Sequence, residues 1–218
     1  LPADMITVKR FTCNILAENC YVVSDDTNEA VIIDCGVMYE DEGTAIIQYI
    51  RDNNLNPLHL LCTHGHFDHC MGNGVIYKEF HLKPEVHLKD QYLMENMAQQ
   101  TADILGVALP MEVPPVGKYL SDSDVITFGN HTLHILHTPG HTPGGVTYYC
   151  KEEGIAFSGD TLFRMSIGRT DFESGSYEQI VHSLQDVLAK LPADTKVYPG
   201  HGPETTVADE IRYNPYMR

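Results

Sequence analysis

The chain has 218 residues, with 14 basic against 30 acidic side chains and a formal net charge of −16. That field repels phosphate backbones and anionic membranes, which argues against nucleic acid or a membrane surface as partner. At 43% hydrophobic and 20% charged residues the chain reads as globular and able to bury a core, and no apolar run approaches the about 18 residues of a membrane span.

The start, Leu1-Pro2-Ala3-Asp4-Met5, does not read as a secretory signal, so the cytoplasm is the expected location. Residues 6–11, 21–24 and 30–34 read as short strands separated by turn residues. Asp34 closes the third, placed either to cap a turn or to support a site. Residues 39–53 carry Ala45, Ile46, Tyr49 and Ile50 at helical spacing. Residues 58–62 form an apolar run that reads as a buried strand. It delivers Thr63-His64-Gly65-His66-Phe67-Asp68-His69, and Met71-Gly72-Asn73 then opens a helix.

Residues 77–119 change character. A helix is expected over 89–105, stopped by Gly106, followed by the proline-rich Leu109-Pro110-Met111-Glu112-Val113-Pro114-Pro115. The segment reads as a helical and proline-rich insertion near the site within one domain spanning 1–218. Strands are expected over 125–128, 131–137, 146–150 and 155–158, a helix over 176–191, a strand over 196–198 and one short helix within 205–218, with Arg212 and Arg218 as its basic residues. Strands alternating with helices point to an α/β arrangement. Six cysteines, at 13, 20, 35, 62, 70 and 150, form no CxxC pair and are expected as buried free thiols. Cys70, next to His69, is open to a packing or a functional role.

Four polar signals end strands: the 63–69 cluster, Thr138-Pro139-Gly140-His141-Thr142, Ser158-Gly159-Asp160-Thr161 and Tyr198-Pro199-Gly200-His201-Gly202. Each joins an apolar strand to a tight turn and a metal-competent side chain. The seven candidates are His64, His66, Asp68, His69, His141, Asp160 and His201. Five imidazoles and two carboxylates exceed the needs of one tetrahedral metal and suffice for two. Imidazole and carboxylate donors suit zinc, iron or manganese.

The set HxHxDH, here His64, His66, Asp68 and His69, followed by His141, Asp160 and His201, resembles the metallo-β-lactamase-fold superfamily over nearly the whole chain. Gly159-Asp160-Thr161-Leu162-Phe163 and Gly168-Arg169-Thr170-Asp171 resemble its hydroxyacylglutathione hydrolase (glyoxalase II) group. Pro199-Gly200-His201-Gly202-Pro203-Glu204-Thr205-Thr206 resembles the short, single-domain members of that group.

The resemblance implies a four-layer α/β/β/α sandwich and a cofactor of two divalent metal ions, zinc first, with iron or manganese compatible. It implies that His64, His66 and His141 hold one metal, that Asp68, His69 and His201 hold the other, and that Asp160 bridges. A binuclear metallohydrolase follows, in which two cations acidify a bridging water and the resulting hydroxide attacks a thioester or ester. Asp68 and Asp160 are its catalytic carboxylates. Arg169 is placed either to bind a substrate carboxylate or to pair with Asp171.

Three other readings stand beside it: a mono-iron persulfide dioxygenase using His64, His141 and Asp160, a lactonase or other hydrolase of the same fold, and a non-catalytic metal-binding protein. A secreted β-lactamase is disfavoured because Asp160 stands where those enzymes carry Cys. A diiron flavoprotein partner is disfavoured by His66 where that group has Glu, and a tRNA-processing nuclease by the negative charge.

Overall fold

A computed structural model of the chain describes residues 5–108 and 112–218. Strands β2 (Glu18–Ser24), β3 (Glu29–Ile33) and β4 (Asn56–Leu61) send alternate side chains to opposite faces. Tyr21, Val23, Val31, Ile33 and Leu61 face one way, and Val22, Ile32 and Leu60 face the other, all buried. A sheet apolar on both faces must be covered on both. Helices α1 (Glu40–Asp52) and, later in the chain, α3 (Asn73–Phe80) cover the outer face through Ile46, Ile50 and Ile76.

This first sheet runs β1-β2-β3-β4-β5-β6, with β1 (Thr7–Cys13), β5 (Pro84–His87) and β6 (Lys118–Leu120) completing it. β1 to β3 pair antiparallel, and β3 to β6 pair parallel. The short helix α2 (Phe67–Cys70) precedes α3.

The second sheet runs β14-β13-β10-β9-β8-β7. Its strands are β7 (Val125–Phe128), β8 (His131–His137), β9 (Val146–Cys150), β10 (Ile155–Gly159), β13 (Lys196–Pro199) and β14 (Thr205–Thr206). The hairpin of β11 (Leu162–Phe163) and β12 (Ser166–Ile167) stands apart. Phe128, Leu133, Ile135, Tyr148 and Phe157 of this sheet pack against the inner face of the first. Its outer face is covered by α6 (Tyr177–His182), the helical turns over residues 183–190 and α7 (Val207–Tyr213), through Ile180, Leu184, Leu188 and Val207. The result is the four-layer α/β/β/α sandwich.

Three expectations change in detail. The helix expected over 89–105 is split into α4 (Gln91–Glu95) and α5 (Met97–Leu105) at Asn96. Side chains satisfy carbonyls at the break: Asn96 Nδ2 donates to Tyr92 O and Gln100 Nε2 to Leu93 O, and Gln100 Nε2 also reaches Gly65 O of the ligand loop. The helix expected over 176–191 becomes α6, a wider π-type turn at Ser183–Val187 and a 3₁₀ turn at Leu188–Lys190. The wide turn keeps Ile180, Leu184 and Leu188 aligned on the sheet.

The 77–119 segment also carries β5 and most of β6, whose four- and three-residue lengths leave no readable period. Leu109, Pro110 and Met111 of the proline-rich loop lie outside the described residues. All six cysteines are free and buried. Among the described residues no helix is long and apolar enough to cross a membrane.

Candidate metal centre

Strand direction brings the four signals together. β8 is antiparallel to β9 and β9 to β10, so β8 and β10 run the same way, and β13 is parallel to β10. Their C-terminal ends therefore share one edge, which presents His141, Asp160 and His201. β3 and β4 of the other sheet are parallel and end at the same rim, presenting Asp34 and the 63–69 cluster. Val146 N donates to Thr63 O at 2.9 Å, and Tyr148 Oη to Cys62 O at 2.7 Å, which ties the sheets there.

The cluster changes conformation midway. His64 sits in the bend that follows β4 and His66 in extended backbone, with their donor atoms on one side. Phe67–Cys70 then turns helical and swings Asp68 and His69 to the other. Donor atoms of His64, His66 and His141 lie within 4.8 Å of one another, and so do those of Asp68, His69, Asp160 and His201. All are buried except His201, which is partly exposed. His66 Nδ1 and His141 Nε2 are 2.9 Å apart, and His69 Nε2 and His201 Nε2 3.2 Å apart.

Each remaining ring is held by its second nitrogen. His69 Nδ1 donates to Asp34 Oδ2 at 2.9 Å, His141 Nδ1 to Arg169 O at 2.7 Å and His201 Nδ1 to Leu16 O at 3.1 Å. Thr63 Oγ1 donates to Asp34 Oδ2 at 2.6 Å, so it accepts from His64 Nδ1 at 3.0 Å. These partners assign the tautomers, and each leaves an Nε2 lone pair facing the cluster.

Electrostatics and unmet bonding fit divalent cations. His64 Nε2 and Asp160 Oδ1 are buried without a hydrogen-bond partner. Burial, reinforced by neighbouring rings, pulls His64 well below the usual histidine range and His66 down to about 3, so both are neutral donors. Burial opposes the charge on His69, but Asp160, Asp68 and Asp34 outweigh it and raise its pKa. Burial would raise Asp68 and Asp160, yet His69 beside them holds both low. Neutral His64 and His66 beside ionised Asp68 and Asp160 suit a divalent ion.

Gly159 has φ +54°, and a Cβ there would lie 2.4 Å from Thr63 Oγ1. Only glycine lets Asp160 follow so closely on the Thr63 turn.

All seven candidate ligands converge. Arg169 stands on the rim of the adjoining cavity, its guanidinium exposed and paired with Asp171. Asp34 supports the site, as one of its two readings held, through Thr63 and His69. Cys70 packs against Met94 with its thiol pKa raised by its contact with Cys62 and by burial, a packing role.

The sequence reading missed three groups. Asp90, fully buried, accepts from Gly65 N at 2.9 Å, Thr142 Oγ1 at 2.8 Å and Gly144 N at 2.6 Å, and so joins the His64–His66 loop to the His141 loop. Glu18, fully buried, lies 3.7 Å from His69 Nδ1, with no hydrogen-bond partner for its carboxyl oxygens and its pKa pushed well up by burial. The backbone carbonyls of Leu16 and Arg169 carry no sequence signal at all.

Residues 14–201 match the model of the metallo-beta-lactamase superfamily. Hydroxyacylglutathione hydrolase GloC of Haemophilus influenzae is 35% identical over 209 residues, covering 92% of each chain. The crystal structure of BLEG-1 B3 metallo-beta-lactamase superposes with a TM-score of 0.88 at 33% identity, covering 97% of this chain and 99% of that one. The structure of TTHA1623 in a di-iron-bound form gives 0.83 at 36% identity, covering 96% and 100%.

Proposed function

The chain belongs to the metallo-beta-lactamase superfamily and is a metallo-hydrolase, and from that footing we propose that it hydrolyses small thioesters or esters at a centre of two divalent metal ions, zinc first among them. In this reading His64, His66 and His141 would hold one ion, Asp68, His69 and His201 would hold the other, and Asp160 would serve both. One observation carries it: Asp160 Oδ2 lies 3.4 Å from His141 Nε2 of the first group and 3.5 Å from His201 Nε2 of the second. The similarity to a hydroxyacylglutathione hydrolase supports a thioester.

Bound there, divalent cations would supply Lewis acidity toward a carbonyl oxygen and toward water. The chain does the rest. Asp68 orients the attacking water. Asp34, Thr63 and the carbonyls of Leu16 and Arg169 fix the imidazole rings, so little reorganisation accompanies the reaction. Arg169 stands where it can meet the polar end of a substrate.

Metal content and turnover on a panel of S-acyl thiols, esters, lactones and a persulfide test the reading. Two metal equivalents with thioester turnover are expected. Asp160→Ala should lose both activity and one equivalent, and full activity in that variant sinks the proposal. Preference for lactones would assign a lactonase, and metal without turnover on any of them a binding protein.

A second reading has its own geometry. His64 Nε2 and His141 Nε2 lie 3.9 and 3.4 Å from Asp160 Oδ2, a two-histidine, one-carboxylate set of the kind that serves a mono-iron persulfide dioxygenase. One iron per chain, with oxygen consumed and sulfite formed from the persulfide alone, would decide for it.

A further inference from the structure

The cavity beside the metal-ligand cluster has a volume of about 490 Å³, the size of a small-molecule site. Its floor is polar, with His66, Asp68, His141, Asp160 and His201 facing it. Its walls are Leu16, Phe67, Ile104, Phe163, Ile167 and Phe172. Phe172 packs edge-on to His66 with ring centroids 5.1 Å apart, and Phe163 to His201 at 5.9 Å. The two phenyl rings thus bracket the cluster, one beside each donor group. Leu16 and Ile104 remain 42% and 47% exposed. A single exposed aliphatic side chain is ordinary. Two that converge with phenyl rings over a polar floor form an apolar patch with recognition value.

Charge points the same way. Among the described residues, Arg169 is the cation that lines this cavity. Its Nε and Nη2 donate to the Asp171 carboxylate at 2.6 and 2.7 Å, and its guanidinium lies 4.2 Å from the Phe172 ring centroid. Arg164, exposed on the β11–β12 turn, is not part of the lining. Glutathione carries two carboxylates and one ammonium. Outside the metal centre its thioesters would meet one cation already neutralised, in a chain of net charge −16.

We propose that this site selects thioesters with an apolar acyl group and an uncharged thiol part over thioesters of carboxylate-bearing thiols. The inference rests on the hydrolase reading above. The reaction is balanced by water alone: a C–O bond forms at the acyl carbon, the C–S bond breaks, and the thiol sulfur leaves and takes up a proton from water.

Two measurements separate this proposal from the reading beneath it. The first is binding to the metal-free protein, followed by calorimetry with thioethers that cannot be hydrolysed. S-hexyl-N-acetylcysteamine should bind at least tenfold tighter than S-hexylglutathione, with the gap narrowing as salt is added. Equal or tighter binding of the glutathione thioether overturns the proposal, whatever the protein hydrolyses.

The second is turnover by the metal-loaded protein on S-acyl N-acetylcysteamines from acetyl to hexanoyl, and on S-butyrylglutathione. The specificity constant should rise about fourfold per added methylene, and the butyryl ester of the neutral thiol should exceed that of glutathione by tenfold or more. Ile104→Glu should raise KM for the hexanoyl substrate by more than it lowers kcat. A flat chain-length series, or preference for the glutathione ester, overturns the proposal while leaving the hydrolase intact. No turnover of any thioester by fully loaded protein overturns both.

Discussion

Asp34 and His69 lie 35 residues apart in sequence and meet at 2.9 Å, with His69 Nδ1 donating to Asp34 Oδ2. The same carboxylate accepts from Thr63 N at 2.7 Å and Thr63 Oγ1 at 2.6 Å, and through Thr63 it orients His64. One buried side chain therefore fixes a ring in each donor group. Asp34→Asn keeps a residue that tolerates the φ of +57° found there but removes the charge. Metal affinity should fall about 10- to 100-fold, which competition with a chromophoric chelator would measure. Unchanged affinity would leave Asp34 as a turn cap.

Asp90 has no contact with the substrate cavity but holds two ligand loops together. Asp90→Ala leaves Gly65 N, Gly144 N and Thr142 Oγ1 without their acceptor. Each lost bond to a charged group counts about 1.5–3 kcal/mol, so unfolding in urea should shift by about 3 kcal/mol or more. Asp90→Asn should recover part of this. If stability falls and metal stoichiometry stays full, Asp90 supports the fold alone.

Gly200 sits against the centre. A Cβ there would lie 2.3 Å from Asp160 Oδ1 and 2.7 Å from His69 Cε1, well inside van der Waals contact. Gly200→Ala should displace both side chains, with loss of bound metal and at least a 100-fold fall in turnover. Gly106→Ala, where nothing lies within 4 Å of the added carbon, is the comparison for backbone effects at φ +71° and should keep its metal.

Far from the centre, His131 joins the two sheets. Burial disfavours its charge, but hydrogen bonds to Asp25 at 2.9 Å and Glu153 at 3.0 Å prevail and raise its pKa. Burial opposes the Asp25 charge as well, and hydrogen bonds from Thr27, Asn130 and His131 hold its pKa low. A histidine raised on folding stabilises fully below its unfolded pKa of about 6.5. That stability disappears as pH rises through the folded value. Thermal unfolding should therefore occur at a lower temperature above neutrality, and His131→Asn should remove that part of the slope. Parallel pH profiles for the two proteins would contradict the assignment.

The ligand set was legible because its donors are dense or mark strand ends: His64, His66, Asp68 and His69 fall within six residues after an apolar run, and an apolar strand ending in a glycine turn marks His141, Asp160 and His201. The long strands were legible from hydrophobic alternation. What was not legible has no period. β5, β6, β11, β12 and β14 are two to four residues long. The interruption at Asn96 depends on Gln100 reaching Gly65 and Leu93, a partnership that tertiary contact alone provides. Asp90 follows a short strand as any turn aspartate could.

By itself the sequence determined which side chains can bind metal and which strands deliver them, because hydrophobic alternation fixes strand faces and ends. Tertiary structure decided how those side chains act. Strand direction placed five strand ends, those of β3, β4, β8, β10 and β13, on one rim. Asp34, Thr63 and two backbone carbonyls chose the ring tautomers. Phe163, Phe172, Leu16 and Ile104, from separate segments, made the cavity wall apolar. These follow from through-space proximity, which pairs residues without regard to their spacing along the chain.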